Sequence, residues 1–369
     1  MPAGPEAISL PADGPFVADP AGDSAAWTYA RSGVDVDVRD TALRALLRQV
    51  RFRPRPDHGR PVAAPGHFAG LVRVGRETIA VTTDTVGTKV LLAEQVGRWE
   101  EVGEDLVAVN VNDLASVGAR PAGLVDTILT AAPDANAFAA IGRGIDRGLR
   151  AAGCGLLGGE TAVVPSIVRG TDLGGTALGF FPRGRSPVLG DRIRPGDVVL
   201  GIPSSGVHAN GFTLVRRLLE ARAVALDRPR RGAPLLLGEE LLRPTRIYCS
   251  AADALAGLPG THGLAHLSGG GVRNLARLHP RVAFVLDRWP EVPPLFEWIR
   301  SLGPVAPVEM FRTFNMGIGF AAVVEPRRLA ETRRRLARAG APDVLEIGHV
   351  ERGRGVRLPS HGLAYEGYA

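Results

Sequence analysis

Only one lysine, Lys89, stands among 44 basic residues, and it closes the run Asp84-Thr85-Val86-Gly87-Thr88-Lys89. An ammonium on a flexible stem suits a single phosphate oxygen in a crowded pocket, where a planar guanidinium is too wide. Gly87 and Thr88 precede it, so the run reads as a phosphate-handling loop, although the lysine alone fits a solvated loop equally well. Asp105, Asn112 and Asp113 interrupt an otherwise apolar helical pattern, and their spacing turns them toward one side of the helix. Buried carboxylates are costly unless paired or metal-bound, which points to a cation, and magnesium fits oxygen ligands completed by phosphates. An N-cap role is the alternative for Asp105. Gly158-Gly159-Glu160-Thr161-Ala162 reads as a glycine turn after a short strand and offers a third carboxylate. Asp84, Asp113 and Glu160 on magnesium, with Lys89 on phosphate, would make a magnesium-nucleotide site. Neither a Walker A pattern nor GxGxxG opens a helix here.

Further along, Ser204-Ser205-Gly206-Val207-His208-Ala209-Asn210-Gly211 lies between an expected strand and an expected helix. Free N–H groups at such a helix start can hold a phosphate, and His208 and Asn210 could reach a ligand from the turn. A helix cap with an incidental histidine is the plainer reading. Gly269-Gly270-Gly271 follows Leu264-Ala265-His266-Leu267 in a second turn of this kind. The glycines beside His262 and His266 make a metal-binding helix a poor fit, so these histidines read as structural or ligand-facing residues of a strand and loop.

The elements that must hold these groups alternate. Strands are expected at 78–84, 124–129, 156–157 and 176–181, helices at 105–117 and 135–152, and an amphipathic stretch at 40–50. The stretch 182–187 reads as a linker. Beyond it, strands are expected at 197–202, 283–286 and 318–324, and helices at 212–221, 294–301 and 326–339. Three segments follow: a flexible tail over 1–24, a first domain over 25–185 and a second over 186–369. The fold class is α/β or α+β.

Composition narrows the function. A chain of 369 residues with 45% hydrophobic and 22% charged residues is ordinary for a globular enzyme. The sequence shows neither a long apolar run nor a signal peptide, so a cytoplasmic location without membrane contact is expected. Cys154 and Cys249 belong to no ligand pattern and read as small buried hydrophobes. The net charge of +6 raises nucleic-acid binding, but the arginines at Arg51, Arg53 and Arg55, at Arg228, Arg230 and Arg231, and over 327–338 lack interleaved aromatics. They read as solvated faces, and no nucleic-acid partner is expected.

From Tyr29-Ala30-Arg31-Ser32-Gly33-Val34-Asp35-Val36-Asp37 to about Val350 the chain resembles the phosphoribosylformylglycinamidine cyclo-ligase family, the aminoimidazole ribonucleotide synthetases. Asp84 to Lys89, Val111-Asn112-Asp113-Leu114, Gly118-Ala119-Arg120-Pro121, Gly158 to Ala162, Ser205 to Gly211, Pro244-Thr245-Arg246-Ile247-Tyr248, His266 to Gly271 and Arg312 to Gly319 carry the likeness. It implies a two-domain subunit whose N-terminal domains pair into a homodimeric barrel, with ATP and magnesium bound by the first domain and substrate or phosphate by the second. The implied reaction is ring closure of formylglycinamidine ribonucleotide to aminoimidazole ribonucleotide in purine synthesis, with release of ADP and phosphate. Residues implied at ATP are Gly66, His67, Asp84, Gly87, Thr88, Lys89, Asn112, Gly159 and Thr161. Asp84, Asp113 and Glu160 are implied on magnesium, and His208, Asn210 and Lys89 in catalysis. The chain departs from the family at Thr85, which replaces a glycine, and at Val163-Val164-Pro165-Ser166. The segment Pro65-Gly66-His67-Phe68-Ala69-Gly70 is a reduced glycine loop. A paralogue acting with ATP on a related amide or amidine and a non-catalytic nucleotide-binding subunit are the rivals. Thiamine-monophosphate kinase and selenophosphate synthetase fit the Ser205 and Arg312 runs less well.

Overall fold

The computed structural model describes residues 26–50, 52, 55, 59–62 and 66–368. The tail expected over 1–24, Arg51, Arg53 and Pro65 lie outside the described residues. Helix α1 (Val36–Gln49) leads to β1 (Arg60–Pro61), β2 (Gly70–Val74) and β3 (Glu77–Thr85). Next come α2 (Lys89–Val96), α3 (Glu100–Ala115), β4 (Arg120–Thr130), α4 (Ala135–Ala152), β5 (Gly155–Val163) and β6 (Thr171–Phe180). The first sheet has the order β1-β2-β3-β6-β4-β5. Only β4 and β5 run parallel, joined by α4, as a crossover connection requires.

Helix α3 packs against one face of this sheet, and α4 packs against α3. Glycines let those two helices touch backbone to backbone. A Cβ at Gly103 would lie 2.3 Å from the Ile141 carbonyl oxygen, and one at Gly144 would lie 2.0 Å from that of Glu100. Apolar spacing, the Asp134 cap on the Ala137 N–H and the left-handed Gly153 fix both ends of α4 where the sequence places them. Helix α3 starts earlier than expected, at Glu100, so Asp105 is an interior residue rather than an N-cap.

The second half opens with β7 (Val198–Pro203), α5 (Phe212–Ala221), α6 (Leu237–Leu242), α7 (Cys249–Ala256) and β8 (Thr261–His266). A 3₁₀ turn at Gly271–Arg277 leads to β9 (Val282–Val285), α8 (Pro294–Ser301), α9 (Pro307–Thr313) and β10 (Ile318–Val324). Helix α10 (Leu329–Arg338) precedes β11 (Leu345–Arg352), β12 (Val356–Leu358) and β13 (Leu363–Tyr365). These strands form one sheet, β13-β12-β9-β11-β7-β10-β8. Every residue of β8, β9 and β10 is buried, and β9 and β10 read as apolar runs without alternation. Arg335 of α10 and the preceding Arg328 pair with Glu331, and Arg230 pairs with Glu240. No described helix is long and apolar enough to cross a membrane.

Candidate active site

The polar residues inside α3 meet the second half of the chain. The Lys89 ammonium, wholly buried at the start of α2, lies 2.6 Å from Asp105 Oδ2 and donates to the Arg243 carbonyl at 2.8 Å. Burial lowers the Lys89 pKa, and the Asp105 charge opposes the shift. Asp105 Oδ1 accepts from the Thr245 backbone and hydroxyl at 2.8 and 2.5 Å. One α-helical turn pair later, Asn112 donates to the Arg246 carbonyl and accepts from the Tyr248 N–H. Lys89, Asp105 and Asn112 therefore fasten α2 and α3 to residues 243–248. Contrary to the expectation from their spacing, Asp105 and Asn112 do not share an open cation site with Asp113, because their polar atoms are occupied along this seam. Thr88 bridges the same seam, its hydroxyl 2.9 Å from that of Thr213.

A different cluster lies where β3, α3 and β8 converge. The Asp84 N–H donates to Asn110 of α3, and the Asp113 carboxylate meets His266 Nδ1 at 3.0 Å. Burial, then the Asp113 charge, pushes the Asp84 pKa up to about 6. His67 belongs to the same environment. Burial and then the Arg277 charge lower its pKa to about 4, so its imidazole is neutral near pH 7. The Nε2 atoms of His67 and His266 are buried without a hydrogen-bond partner among the described residues. The buried Asp84 carboxyl near Asp113, beside orphaned imidazole nitrogens, forms a place where added positive charge is favourable. Arg277 holds the glycine segment by donating to the Gly66 and His67 carbonyls at 2.9 and 2.8 Å.

Glu160 does not join Asp84 and Asp113. It sits within β5 rather than in a turn, and strand register decides where its side chain goes. Asp84 is level with Gly175, Asp126 and Gly159 across the sheet, whereas Glu160 is level with Thr127, Gly174 and Thr85. Residues paired across strands share a face, and a one-residue offset reverses it. A Cβ at Gly175 would meet Asn110 and Leu106 of α3, so the Asp84 row faces α3 and the Glu160 row faces away. Three strand spacings of about 4.8 Å also separate them. No group of three His, Cys, Asp or Glu residues arranged for a metal occurs among the described residues. Gly159 instead leaves room for Asp126, whose carboxylate oxygen would lie 2.2 Å from a Cβ there. Thr161 lies farther along the same exposed strand.

Thr85 is accommodated without strain. It ends β3 paired with Gly174, where a β-branched residue is favoured, and the left-handed turn falls on Gly87 at φ 70°. At the second-half turn, Asn315 anchors the backbone by donating to the Gly206 carbonyl and accepting from the Ser204 hydroxyl. His208 adopts φ 66° and is buried, with Nε2 accepting from the Ser205 N–H. Burial holds its pKa well below the usual histidine range. Its ring packs inward beside Tyr248 and His266, and Gly319 provides the space.

Asn210 and Gly211, at the start of α5, instead line a cavity of about 280 Å³. Arg39, Arg273, Arg312, Gly270 and Thr313 are among its other walls. The Thr313 hydroxyl is buried and unpartnered among the described residues. A helix start with arginines nearby suits an anionic group. Arg273, Arg277, Arg312 and the C-terminal Tyr368 were absent from the expected site set. The Arg312 run and the Gly269-Gly270-Gly271-Val272-Arg273-Asn274 turn stand out in the sequence, but no short spacing connects these residues as one site.

Residues 66–181 match the family described as AIR synthase related protein, N-terminal domain, and residues 194–360 match AIR synthase related protein, C-terminal domain. The phosphoribosylformylglycinamidine cyclo-ligase of Thermococcus gammatolerans is 42% identical over 91% of this chain and 99% of its own length. That of Methanothermobacter thermautotrophicus is 40% identical over 90% of this chain and 96% of its own. The solved structure of AaThiL complexed with AMPPCP and TMP superposes with a TM-score of 0.61 at 18% identity, covering 90% of this chain and 95% of that one. That likeness shows a shared fold.

Proposed function

Because this chain belongs to the phosphoribosylformylglycinamidine cyclo-ligase family, we propose that it uses ATP to close formylglycinamidine ribonucleotide into aminoimidazole ribonucleotide. The γ-phosphoryl group of ATP passes to the formyl amide oxygen, and an amidine nitrogen then attacks the activated carbon. Inorganic phosphate leaves, and ADP is the other product. Activation is chemically necessary because an amide oxygen is a poor leaving group. The observation carrying this reading is the Asp84–Asp113 carboxylate pair beside the glycine segment, with the arginine-lined cavity reached through the same Arg277 and Tyr368.

Magnesium fits the Asp84 and Asp113 oxygens, since burial and then the neighbouring Asp113 charge disfavour an ionised Asp84 that a cation would stabilise. When bound, the ion would neutralise phosphate charge. Gly66, His67 and Gly87 would lie along the nucleotide, and Asn210 with the cavity arginines would bind the ribonucleotide. His208 is assigned to holding the turn through the Ser205 N–H, not to proton transfer, because its ring is buried and neutral. Lys89 is assigned to the seam. The exposed Val125 of β4 and Phe180 of β6, both on the face turned away from α3, support pairing of this sheet face with a second copy. A soluble cytoplasmic homodimer with domains over 25–185 and 186–369 is the corresponding assembly.

Purified protein given ATP, magnesium and formylglycinamidine ribonucleotide should release ADP, phosphate and aminoimidazole ribonucleotide; no turnover over a broad range of conditions would refute the reading. His266 orients Asp113, so it acts as an outer-shell partner of the ion. In the same assay His266→Ala should raise the magnesium concentration for half-maximal rate by about 10–100-fold, whereas an unchanged magnesium requirement would remove the metal from this cluster.

A further inference from the structure

The Arg277 guanidinium lies over two aromatic rings and is also held along its edge. Its carbon lies 4.1 Å from the Phe68 ring centroid and 4.9 Å from that of Tyr368, while its N–H groups donate to the Gly66 and His67 carbonyls. Arg277 ends the 3₁₀ turn at Gly271–Arg277, so it reaches from the second half of the chain to a loop of the first. Tyr368 arrives from the opposite end of the sequence, three residues beyond β13. Its carbonyl accepts from Arg273, and its ring lies 3.0 Å from where a Cβ at Gly270 would stand. Upstream, the Tyr365 hydroxyl donates to the Val308 carbonyl at 2.8 Å, tying the end of β13 to α9.

A planar cation over aromatic rings is attracted to their π faces while its edge remains free for carbonyls. Without the Tyr368 ring, Arg277 loses one of its two aromatic partners, and the guanidinium can swing away from Gly66 and His67. Tyr368 also lines the cavity that holds Asn210 and Arg312, so one residue touches the supports of both proposed ligand seats.

We propose that Tyr368 and Arg277 form a C-terminal latch, two positioning residues that hold the Gly66–Gly70 segment in the conformation used to bind nucleotide. The latch rests on the nucleotide reading above for its ligand, but not for its effect on the loop. Nucleotide affinity is to be measured by calorimetry with ADP and magnesium on the full chain and on Tyr368→Ala and Tyr368→Phe. Amide hydrogen exchange at residues 66–70 is to be followed without ligand. Tyr368→Ala should weaken ADP binding by roughly 5–10-fold and accelerate exchange at 66–70. It should also raise the KM for ATP more than it lowers kcat. Tyr368→Phe, which keeps the ring, should restore affinity and protection. Unchanged exchange at 66–70 in Tyr368→Ala, or a phenylalanine variant as impaired as the alanine one, would overturn the latch. If the parent protein bound no ADP, the nucleotide reading would fail, and the exchange comparison would still decide the latch.

Discussion

Asp105→Ala should lower the free energy of unfolding by about 3–5 kcal/mol, because it leaves the Lys89 ammonium buried without a countercharge. The ammonium and carboxylate are 2.6 Å apart, and both side chains are wholly buried. The remaining supports are the Arg243 carbonyl and the Phe212 ring, whose centroid is 5.5 Å from Nζ. Neither supplies a full negative charge. Asp105→Ala also removes the acceptor for the Thr245 backbone and hydroxyl, so the loss falls where α3 meets the second half. Lys89→Met combined with Asp105→Asn should recover much of the stability, since the pair is then neutral and the amide oxygen still accepts from Thr245. Urea unfolding of both variants against the parent measures this. A loss below about 1 kcal/mol for Asp105→Ala would place the pair among weak surface interactions. Lys89→Arg should also destabilise, by about 1–3 kcal/mol, because the wider head group overfills a closed site.

Lys89, expected at an ATP phosphate, instead pairs with the buried Asp105 carboxylate. Its survival in an arginine-rich chain signals a need for a compact cation, and the structure has that need. The partner is Asp105 and a carbonyl from residue 243, whose proximity depends on how two halves of the chain pack. The same limit applies to Asp105 and Asn112. Polar residues within an apolar helical pattern signal satisfied burial, yet backbone and metal are equally good candidates until the neighbour is known. Glu160 was misread for a geometric reason. Its glycines suggested a turn, and its face in a strand is set by register with β4, which local composition does not encode. Elements with strong local signals were legible. Helix α4 has a capping aspartate, a left-handed glycine at its end and a continuous apolar stripe, and β10 is an unbroken apolar run. Arg277 and Tyr368 were illegible because the latch joins residues near positions 68, 277 and 368 without any motif.

Acid stability should separate two opposing groups in the carboxylate cluster. Asp84 has its folded pKa raised to about 6 from 3.8, so its stabilisation is fully present below the unfolded value and is lost as pH rises through about 6. His67 has its folded pKa lowered to about 4 from 6.5, so its stabilisation is present above 6.5 and is lost as pH falls through about 4. Each shift corresponds to about 3 kcal/mol by linkage. Between pH 4 and 6 the two slopes have opposite signs and largely cancel, because the folded cluster favours neutral Asp84 and neutral His67 together. Asp84→Asn removes one slope. Relative to the parent, its unfolding free energy should climb by about 3 kcal/mol between pH 4 and 6, as the opposing His67 contribution is no longer masked. His67→Asn should change in the opposite direction over the same interval. Urea unfolding at pH 4, 5 and 6 tests the pair of signs; parallel profiles for parent and Asp84→Asn would mean that folding leaves the Asp84 carboxyl unperturbed. The sign follows from burial, since a carboxylate and an imidazolium removed from water each favour their uncharged form.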